Sequence, residues 1–278
     1  MSDQTAPPSD NTPAPLPEGS ARPRRSFATL RSITALMLRE MATTYGRSPG
    51  GYIWAVIEPA AGIALLSLVF SAALRNPPVG ISFAMFYATG MLPFMMFSDI
   101  HGKIATSLLF SKQLLAYPTV TFVDAILARF FLNIITLLLV GYIIFTGCLL
   151  MFETRTTLNL PIIVQAYALS ACLGIGVGTL NAYTFTRFNV VQRFWSILMR
   201  PLVLVSGVII PLYSFPQPYR DYLWYNPLMH VTGMMRAGFY PEYESHYVTP
   251  SYVMGIALAC MAMGLLLLRR HHQDILTR

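Results

Sequence analysis

A few charged side chains lie inside stretches of the sequence that are otherwise apolar. Asp124 and Arg129 are near the start of one such stretch, and Glu58 is followed by Pro59 within another. A charge at membrane depth is costly, so residues of this kind usually face a protein interior or water. An acid and a base together can serve a transport function or form a structural ion pair, and both interpretations stay open for Asp124 and Arg129. The proline after Glu58 interrupts the backbone hydrogen bonds of a helix.

The sequence contains no motif for nucleotide binding or for catalysis. A GxxxxGK[ST] phosphate loop is absent, and Gly174, Gly176 and Gly178 lie in the middle of an apolar stretch rather than between a strand and a helix. The first and last of these glycines have the GxxxG spacing of closely packed membrane helices. Acidic residues are scattered, and the three cysteines lie singly in apolar stretches. We therefore predict neither a catalytic residue nor a metal site.

The elements that carry these residues are apolar segments of membrane-spanning length. Of the 278 residues, 55% are hydrophobic and 11% are charged, whereas soluble domains have about 25% charged residues. This composition excludes a disordered chain, a coiled coil and a typical soluble enzyme. Six apolar stretches are each near the roughly 20 residues that cross a bilayer. They are approximately 52–74, 81–98, 122–150, 160–186, 197–213 and 251–268. We predict an all-α, polytopic membrane protein with six transmembrane helices.

Basic residues are distributed unequally between the two sides of this six-span map. With six spans, both termini lie on the same side of the membrane. If that side is the cytoplasm, 15 of the 19 Lys and Arg residues are cytoplasmic and four are not: Arg75, Arg155, Arg220 and Arg236. Cytoplasmic loops of membrane proteins carry such an excess. We therefore predict cytoplasmic termini, and we attribute the net charge of +7 mainly to orientation rather than to nucleic-acid binding.

Segments outside the spans differ in composition. Residues 1–25 are rich in proline, which predicts a disordered cytoplasmic tail. Residues 26–48 carry apolar side chains at three- and four-residue steps, which predicts an amphipathic helix in the membrane interface or packed on protein. The six-span permease domain occupies residues 49–270, and residues 271–278 form a short cytoplasmic tail.

Two connections between spans are unusually apolar. The segment at about 103–119 reads KIATSLLFSKQLLAYPT, which predicts a short helix that binds a partner or lies on the bilayer. The segment at about 214–248 is too apolar for a solvated loop and too rich in proline for a span. It predicts an outer re-entrant helical hairpin or an aromatic belt at the lipid headgroups.

Four segments of the sequence resemble one known family. They are YGRSPGGYIWAVIEP at 45–59, ISFAMFYATGMLPFMMFSDI at 81–100, LLAYPTV at 114–120 and IIPLYSFPQPYRDYLWYNPLMHV at 209–231. In turn they resemble the first span, the second span, the end of the coupling helix and the outer hairpin in membrane subunits of ABC polysaccharide exporters. The resemblance is strongest to the capsular polysaccharide export permeases of Gram-negative bacteria, and it covers roughly residues 30–270.

This resemblance implies an ATP-driven exporter in the inner membrane that moves lipid-linked capsular polysaccharide from cytoplasm to periplasm, through a channel between two copies of the chain. The chain itself would hold no cofactor, because two copies of a separate ATPase subunit would bind ATP and Mg. A periplasmic adaptor and an outer-membrane export channel would continue the path. Export of O-antigen or teichoic-acid glycan is an alternative. An integral-membrane lipid-glycan enzyme and an ion-coupled carrier are alternatives from other classes.

The resemblance and the residue chemistry together assign functions to residues. Coupling to the ATPase is assigned to Leu108, Leu109, Phe110, Lys112, Gln113, Leu114, Leu115, Tyr117 and Pro118. Admission of an anionic substrate is assigned to Arg39, Arg47, Arg187 and Arg193, for which an orientation signal with contacts to lipid headgroups is the alternative. The translocation path is assigned to Tyr87, Tyr183, Phe185, Tyr222 and Tyr225. Structural functions are assigned to Glu58, Pro59, Asp124, Arg129, Asn226 and Pro227. Gly233 stands where the family usually has a glutamate, so the ion pairing expected there is left open.

Overall fold

The computed structural model of the protein describes residues 28–44, 50–51, 53–110 and 121–277. These residues form helices and turns, and no strand occurs among them. In chain order the helices are α1 (Ala28–Thr44), α2 (Ile53–Ala73), α3 (Phe83–Ala105), α4 (Phe122–Met151), α5 (Leu160–Arg187), α6 (Asn189–Val205), α7 (Tyr219–Trp224), α8 (Pro227–Phe239) and α9 (Pro250–Thr277). Residues 107–110 are also helical, and a 3₁₀ turn spans Leu212–Ser214. The predicted all-α fold is confirmed for this part of the chain.

Five helices are long and apolar enough to cross a membrane, namely α2, α3, α4, α5 and the Pro250–His271 part of α9. They correspond to all of the predicted spans except the fifth, 197–213. In place of that span, α6 begins at Asn189 and ends at Val205. Gly207 follows with a φ of 76°, a left-handed conformation that commonly ends a helix. The described residues therefore confirm a polytopic helical membrane protein but not the count of six spans.

Helix α5 packs between α3 and α9. A Cβ atom added at Gly174 would lie 3.0 Å from the Cβ of Ile100 in α3, and Gly178 is packed as tightly on the same helix. These contacts confirm that the GxxxG pattern serves close helix packing. Gly176 contacts a different neighbour, because a Cβ atom added there would collide with the Ala257 carbonyl of α9. Glycines therefore let α5 approach two helices at once.

Replacing Gly176 with valine is expected to destabilise the protein by about 1–3 kcal/mol, the usual effect of overpacking a close-packed interior. The opposing atom belongs to the backbone of α9, which cannot rotate away as a side chain can. Gly255, also on a spanning helix, is the matched control, since no atom of the described residues lies within 4 Å of a Cβ added there. Thermal unfolding in detergent should show a lower midpoint for Gly176→Val than for Gly255→Val. Equal midpoints would contradict this packing.

The bundle has two ends, which we name by the elements they carry. The α1 end carries α1, the last turn of α3, residues 107–110 and the junction between α5 and α6. Helix α1 packs against the start of α4 there, and its Ile33 and Glu40 are buried. The hairpin end carries α7 and α8. Helix α8 has 13 residues, too few to cross a bilayer, and is largely buried against α3 and α5.

Candidate functional site

A buried guanidinium group joins several segments at the α1 end. Arg129 of α4 forms an ion pair with Glu40 of α1, with 3.2 Å between Nη2 and Oε1. The Nη1 of Arg129 donates to the carbonyl of Lys103 at 2.6 Å and to the hydroxyl of Thr106 at 3.2 Å. Only 6% of the Arg129 side chain and 11% of the Glu40 side chain are exposed. Because a buried charge needs a partner, this pairing fixes α1 to α4 and to the end of α3.

Phe110 packs directly on this ion pair. The Cζ of Arg129 lies 4.6 Å from the centre of the Phe110 ring, and the Cζ of Arg39 lies 5.6 Å from it. Both distances are within the roughly 6 Å of a cation–π interaction. Nevertheless, 46% of Phe110 is exposed. We call Glu40, Lys103, Thr106, Phe110 and Arg129 the Arg129 cluster, and it connects an exposed aromatic side chain to buried helices.

The structure describes only the first part of the predicted coupling segment. Helix α3 continues to Ala105, past the predicted end of the second span at 98, so the predicted start of the coupling helix at 103 belongs to α3. Leu109 is 44% exposed, but Leu108 is 3% exposed and packs into the core. Leu108 therefore does not contribute to an exposed patch, which corrects that prediction. The remaining coupling residues lie outside the described part of the chain: Lys112, Gln113, Leu114, Leu115, Tyr117 and Pro118.

Asp124 and Arg129 do not form the ion pair considered from the sequence. The Oδ2 of Asp124 accepts a hydrogen bond from the Thr121 N–H at 2.9 Å, and the Thr121 hydroxyl accepts one from the Asp124 N–H at 3.2 Å. This reciprocal capping box begins α4. A five-residue spacing aligns two side chains only loosely on a helix. Asp124 therefore serves its own helix, whereas Arg129 contacts α1.

Glu58 and Pro59 lie within α2, which continues through the proline. Glu58 is exposed and Pro59 is buried. Glu58 is five residues after the start of α2 at Ile53, a rise of about 8 Å along the helix axis. Its carboxylate is therefore near one end of the helix, where solvation of the charge is less costly than at the bilayer centre.

The predicted substrate-admitting arginines that the structure describes lie at the α1 end. Arg39 contacts Phe110, as described above. Arg187 ends α5 and Arg193 is in the second turn of α6, and both are exposed. Neither forms an ion pair with a residue that the structure describes. Arg47 is outside the described residues. Two cations at this end are thus accessible to an anionic ligand.

The predicted translocation-path aromatics divide into buried and exposed sets. Tyr87 is 1% exposed and Phe185 is 4% exposed, so neither can contact a polymer in this conformation. Their assignment to a path surface is corrected accordingly: both are core residues. Tyr183 is half-buried. Tyr222 and Tyr225, at the hairpin end, are 72% and 66% exposed, and their rings are accessible for stacking on a sugar.

A histidine that the sequence did not single out connects α3 to α6. His101 is 3% exposed, and its ring centroid lies 5.1 Å from the ring of Trp195 in α6. The Nε2 of His101 is 2.9 Å from the Nδ2 of Asn181 in α5, which donates to it. No residue of α6 is buried, so this aromatic contact is a principal attachment of α6 to the rest of the protomer.

The Asn-Pro element organises the hairpin end. The side-chain oxygen of Asn226 accepts a hydrogen bond from the Leu228 N–H at 3.1 Å and thereby caps α8, and Pro227 is the first helical residue. The amide Nδ2 of Asn226 donates to the Val205 carbonyl at 2.8 Å, at the end of α6. Asn226 therefore joins the start of the buried helix α8 to the end of α6.

His230 fastens the hairpin to the start of α9. Its Nε2 donates to the Trp224 carbonyl at 2.8 Å, and its Nδ1 accepts from the Thr249 N–H at 3.1 Å. Only the neutral ring can make both bonds, since Nδ1 must lack a proton. Burial agrees with the neutral form, because it lowers the pKa of His230 below the ordinary value of 6.5.

Arg236 of α8 is fully buried, and no carboxylate among the described residues contacts it. Its Nη2 donates to the Val208 carbonyl at 3.0 Å, and its Cζ lies 4.3 Å from the centre of the Phe86 ring. The space beside Gly233 is filled by the Tyr247 hydroxyl, with which an added Cβ would collide. A glutamate at position 233 therefore has no room here, and the Phe86 ring interacts with the guanidinium instead.

Three buried polar residues of these sites were missed from the sequence: Glu40, His101 and Arg236. A weak signal existed for Glu40, which lies seven residues after Ile33 on the apolar face of α1. His101 and Arg236 carried no comparable signal, because their contacts with Trp195 and Phe86 join helices that are distant in sequence.

Comparisons with known proteins agree with this architecture. The profile of the ABC-2 type transporter family matches residues 31–240. The chain is 30% identical over 246 residues to the polysialic acid transport protein KpsM of Escherichia coli, covering 88% of this chain and 95% of KpsM. It is 24% identical to the capsule polysaccharide export inner-membrane protein CtrC of Neisseria meningitidis, and 22% identical to the corresponding protein BexB of Haemophilus influenzae. Each of these two alignments covers 88% of this chain and 92% of the relative.

The family match covers most of the chain, including the Arg129 cluster and the hairpin end up to Tyr240. The similarity to KpsM extends over nearly the whole of both proteins. A polytopic helical bundle is the architecture expected of a transporter's membrane subunit. The chain therefore belongs to the ABC-2 type transporter family of membrane proteins.

Proposed function

We propose that this chain is the permease subunit of an ATP-driven ABC exporter that moves lipid-linked capsular polysaccharide across the bacterial inner membrane. The observation that carries the proposal is the similarity, over 88% of the chain, to one protein named for polysialic acid transport and two named for capsule polysaccharide export. In this function the chain is not itself an enzyme. Export of O-antigen or teichoic-acid glycan is the alternative within the same transport class.

In the proposed orientation the α1 end is cytoplasmic and the hairpin end is periplasmic. The 15 of 19 basic residues that fall on the side of the termini support it. Helix α6 would complete a sixth crossing together with residues 206–211. Its 17 residues span about 26 Å, nearly the roughly 30 Å of a bilayer core. Helices α7 and α8 would then form a re-entrant hairpin, with α8 held at membrane depth against protein rather than lipid.

The proposed docking surface for the ATPase subunit is centred on Leu109 and Phe110. Both are apolar and almost half exposed at the proposed cytoplasmic end, as expected of a partner surface. Two copies of the ATPase subunit would dock on this surface, one on each copy of the chain. Those subunits would bind ATP and Mg, so the chain needs no cofactor of its own. The Arg129 cluster is suited to transmit motion, because it connects Phe110 to α1, α3 and α4 through buried, directional contacts.

A homodimer with a channel between the copies is part of the proposal. Helix α6 has no buried residue in the protomer and exposes large apolar side chains on one face: Val190, Phe194, Ile197 and Leu204. A second copy could cover such a face. At the periplasmic side, Tyr222 and Tyr225 would contact the emerging polymer. A periplasmic adaptor and an outer-membrane channel would continue the route.

Reversing the charges of Arg187 and Arg193 is expected to slow export of an anionic polysaccharide roughly tenfold, the lower limit of electrostatic steering at charged sites. Both arginines are exposed and form no ion pair with a described residue, so the double variant Arg187→Glu and Arg193→Glu should fold. Arg75→Glu with Arg155→Glu, at the opposite end, is the control. Polymer at the cell surface is the measurement. Unchanged export at normal protein levels would exclude these residues from substrate admission.

Co-purification tests the proposed function as a whole. The chain should be isolated with an ATPase subunit encoded beside it, and lipid-linked capsular polysaccharide should stimulate ATP hydrolysis by that complex. Stimulation by O-antigen or teichoic-acid intermediates alone would favour the alternative cargo. If the chain purifies without an ATPase and consumes a lipid-linked glycan, it is an enzyme and the proposal fails.

A further inference from the structure

An apolar groove lies between α2 and α4, and none of the residues assigned above is among those that line it. Its volume is about 830 Å³, and its walls include Ile63 and Leu68 of α2, Phe83 at the start of α3, and Ile144 and Met151 of α4. This volume is within the roughly 300–1,000 Å³ of small-molecule sites. Both long helices are of membrane-spanning type. In the protomer the groove therefore opens between two membrane-type helices, where the acyl chain of a lipid is a candidate occupant.

The polar atoms inside the groove are already satisfied. The hydroxyl of Ser67 donates to the Ile63 carbonyl at 2.7 Å, and that of Ser71 donates to the Leu68 carbonyl at 3.0 Å. The hydroxyl of Ser82 accepts from the backbone N–H at the first turn of α3. A sugar buried here would lose its hydration without gaining hydrogen bonds, which is unfavourable. An unbranched hydrocarbon chain has no such loss, so the lining selects an apolar occupant.

One charged residue, Glu153, lies at the mouth of the groove. It follows the end of α4 at Met151, is exposed, and forms no ion pair with a described residue. A carboxylate at this place attracts an ammonium group and repels an anionic headgroup. A primary ammonium can also donate charge-assisted hydrogen bonds to it, which a choline group cannot do. The charge therefore selects among membrane lipids.

We propose that this groove binds an acyl chain of a phospholipid with a primary ammonium headgroup, of the phosphatidylethanolamine type, with the ammonium against Glu153. With the orientation proposed above, Glu153 places the headgroup in the outer leaflet, since it follows the hairpin-end terminus of α4 and the groove also contacts the start of α3 at Phe83. The lipid fills the space between two helices that contact each other little and thereby fixes α2 relative to α4.

Gly147 allows the groove to be filled by a single substitution. It lines the groove, and within the described part of the chain no atom lies within 4 Å of a Cβ added there, so Gly147→Trp places an indole in the space of the lipid chain. Gly255 on α9 has equally open surroundings and does not line the groove. Gly255→Trp is therefore the matched control for the effect of adding an indole to a spanning helix.

Photolabelling in vesicles tests the proposal. The protein is reconstituted in phosphatidylcholine with a trace of phosphatidylethanolamine that carries a photoreactive acyl chain, and labelled peptides are identified by mass spectrometry. Labelling is expected on the segments around Ile63 and Ile144. Gly147→Trp should abolish most of it, because the indole occupies the space of the acyl chain, whereas Gly255→Trp should leave it unchanged. Glu153→Gln should reduce labelling to the level of a phosphatidylcholine probe.

Three results would overturn the proposal. They are equal labelling of the two tryptophan variants, equal labelling by phosphatidylglycerol and phosphatidylethanolamine probes, and no labelling of the native protein because a second copy covers the groove. The assay contains neither an ATPase nor a polysaccharide. Lipid binding can therefore fail while export is retained, and export can fail while lipid binding is retained, so the two proposals are tested separately.

Discussion

Replacing Phe110 with aspartate is expected to weaken binding of the ATPase subunit about 30-fold, the effect of losing an interface contact worth about 2 kcal/mol. The ring is 46% exposed, so it is available to a partner. Its inner face contacts the guanidinium groups of Arg39 and Arg129. A carboxylate at this position would be paired by those cations rather than left isolated, so the fold should survive while the apolar docking surface is lost.

The control for this substitution is Leu158→Asp. Leu158 is 52% exposed in the connection between α4 and α5, at the opposite end of the bundle. It should leave ATPase binding unchanged, although it adds the same charge to an equally exposed apolar site. The measurement is the dissociation constant of the purified subunits in detergent. If Phe110→Asp binds the ATPase as tightly as the native chain, the docking surface lies elsewhere.

Replacing Arg129 with methionine is expected to destabilise the protein by about 3–5 kcal/mol, because the substitution leaves the buried carboxylate of Glu40 without a partner. The side chains are 6% and 11% exposed, so water cannot easily compensate. Thermal or denaturant unfolding in detergent measures this change. Transport should fall more than protein abundance does, since the substitution also separates Phe110 from the buried helices.

The double variant Glu40→Gln and Arg129→Met separates the cost of an unpaired charge from the loss of packing. Removing both charges should recover most of the lost stability. Export should remain low, because α1, α3 and α4 are no longer joined by one guanidinium. A double-mutant cycle gives the coupling energy between the two residues. An Arg129→Met protein as stable as the native one would show that the ion pair has no structural importance.

The long apolar runs predicted their helices closely. The predicted stretches 122–150 and 160–186 correspond to α4 (Phe122–Met151) and α5 (Leu160–Arg187). Each stretch is uniformly apolar and has polar residues on both sides, so the ends of the spanning helix are fixed by composition. The fifth stretch, 197–213, predicted its helix less closely. Helix α6 is amphipathic and includes polar residues from Asn189 onward that hydropathy alone leaves outside a span, and it ends at Val205.

The site was less predictable because its contacts are distant in sequence. Arg129 was identified as a costly intramembrane charge, but its partner Glu40 is 89 residues away. The nearer Asp124 was considered as its partner instead. The Asp124 carboxylate is used in a capping box with Thr121, and that interaction was not recognised from the sequence. Burial of Tyr87 and Phe185 also depends on which helices α3 and α5 meet, a property of tertiary packing that aromatic composition does not reveal.

The most direct test of the proposed function is ATP-dependent transport in a purified system. The chain and its ATPase subunit are reconstituted in vesicles with lipid-linked capsular polysaccharide on the outside, and polymer protected from an added glycan-degrading enzyme is measured. We predict protection that requires ATP and the ATPase subunit and is lost with Phe110→Asp. Protection that is independent of ATP, or driven by an ion gradient alone, would contradict the assignment as an ABC exporter subunit.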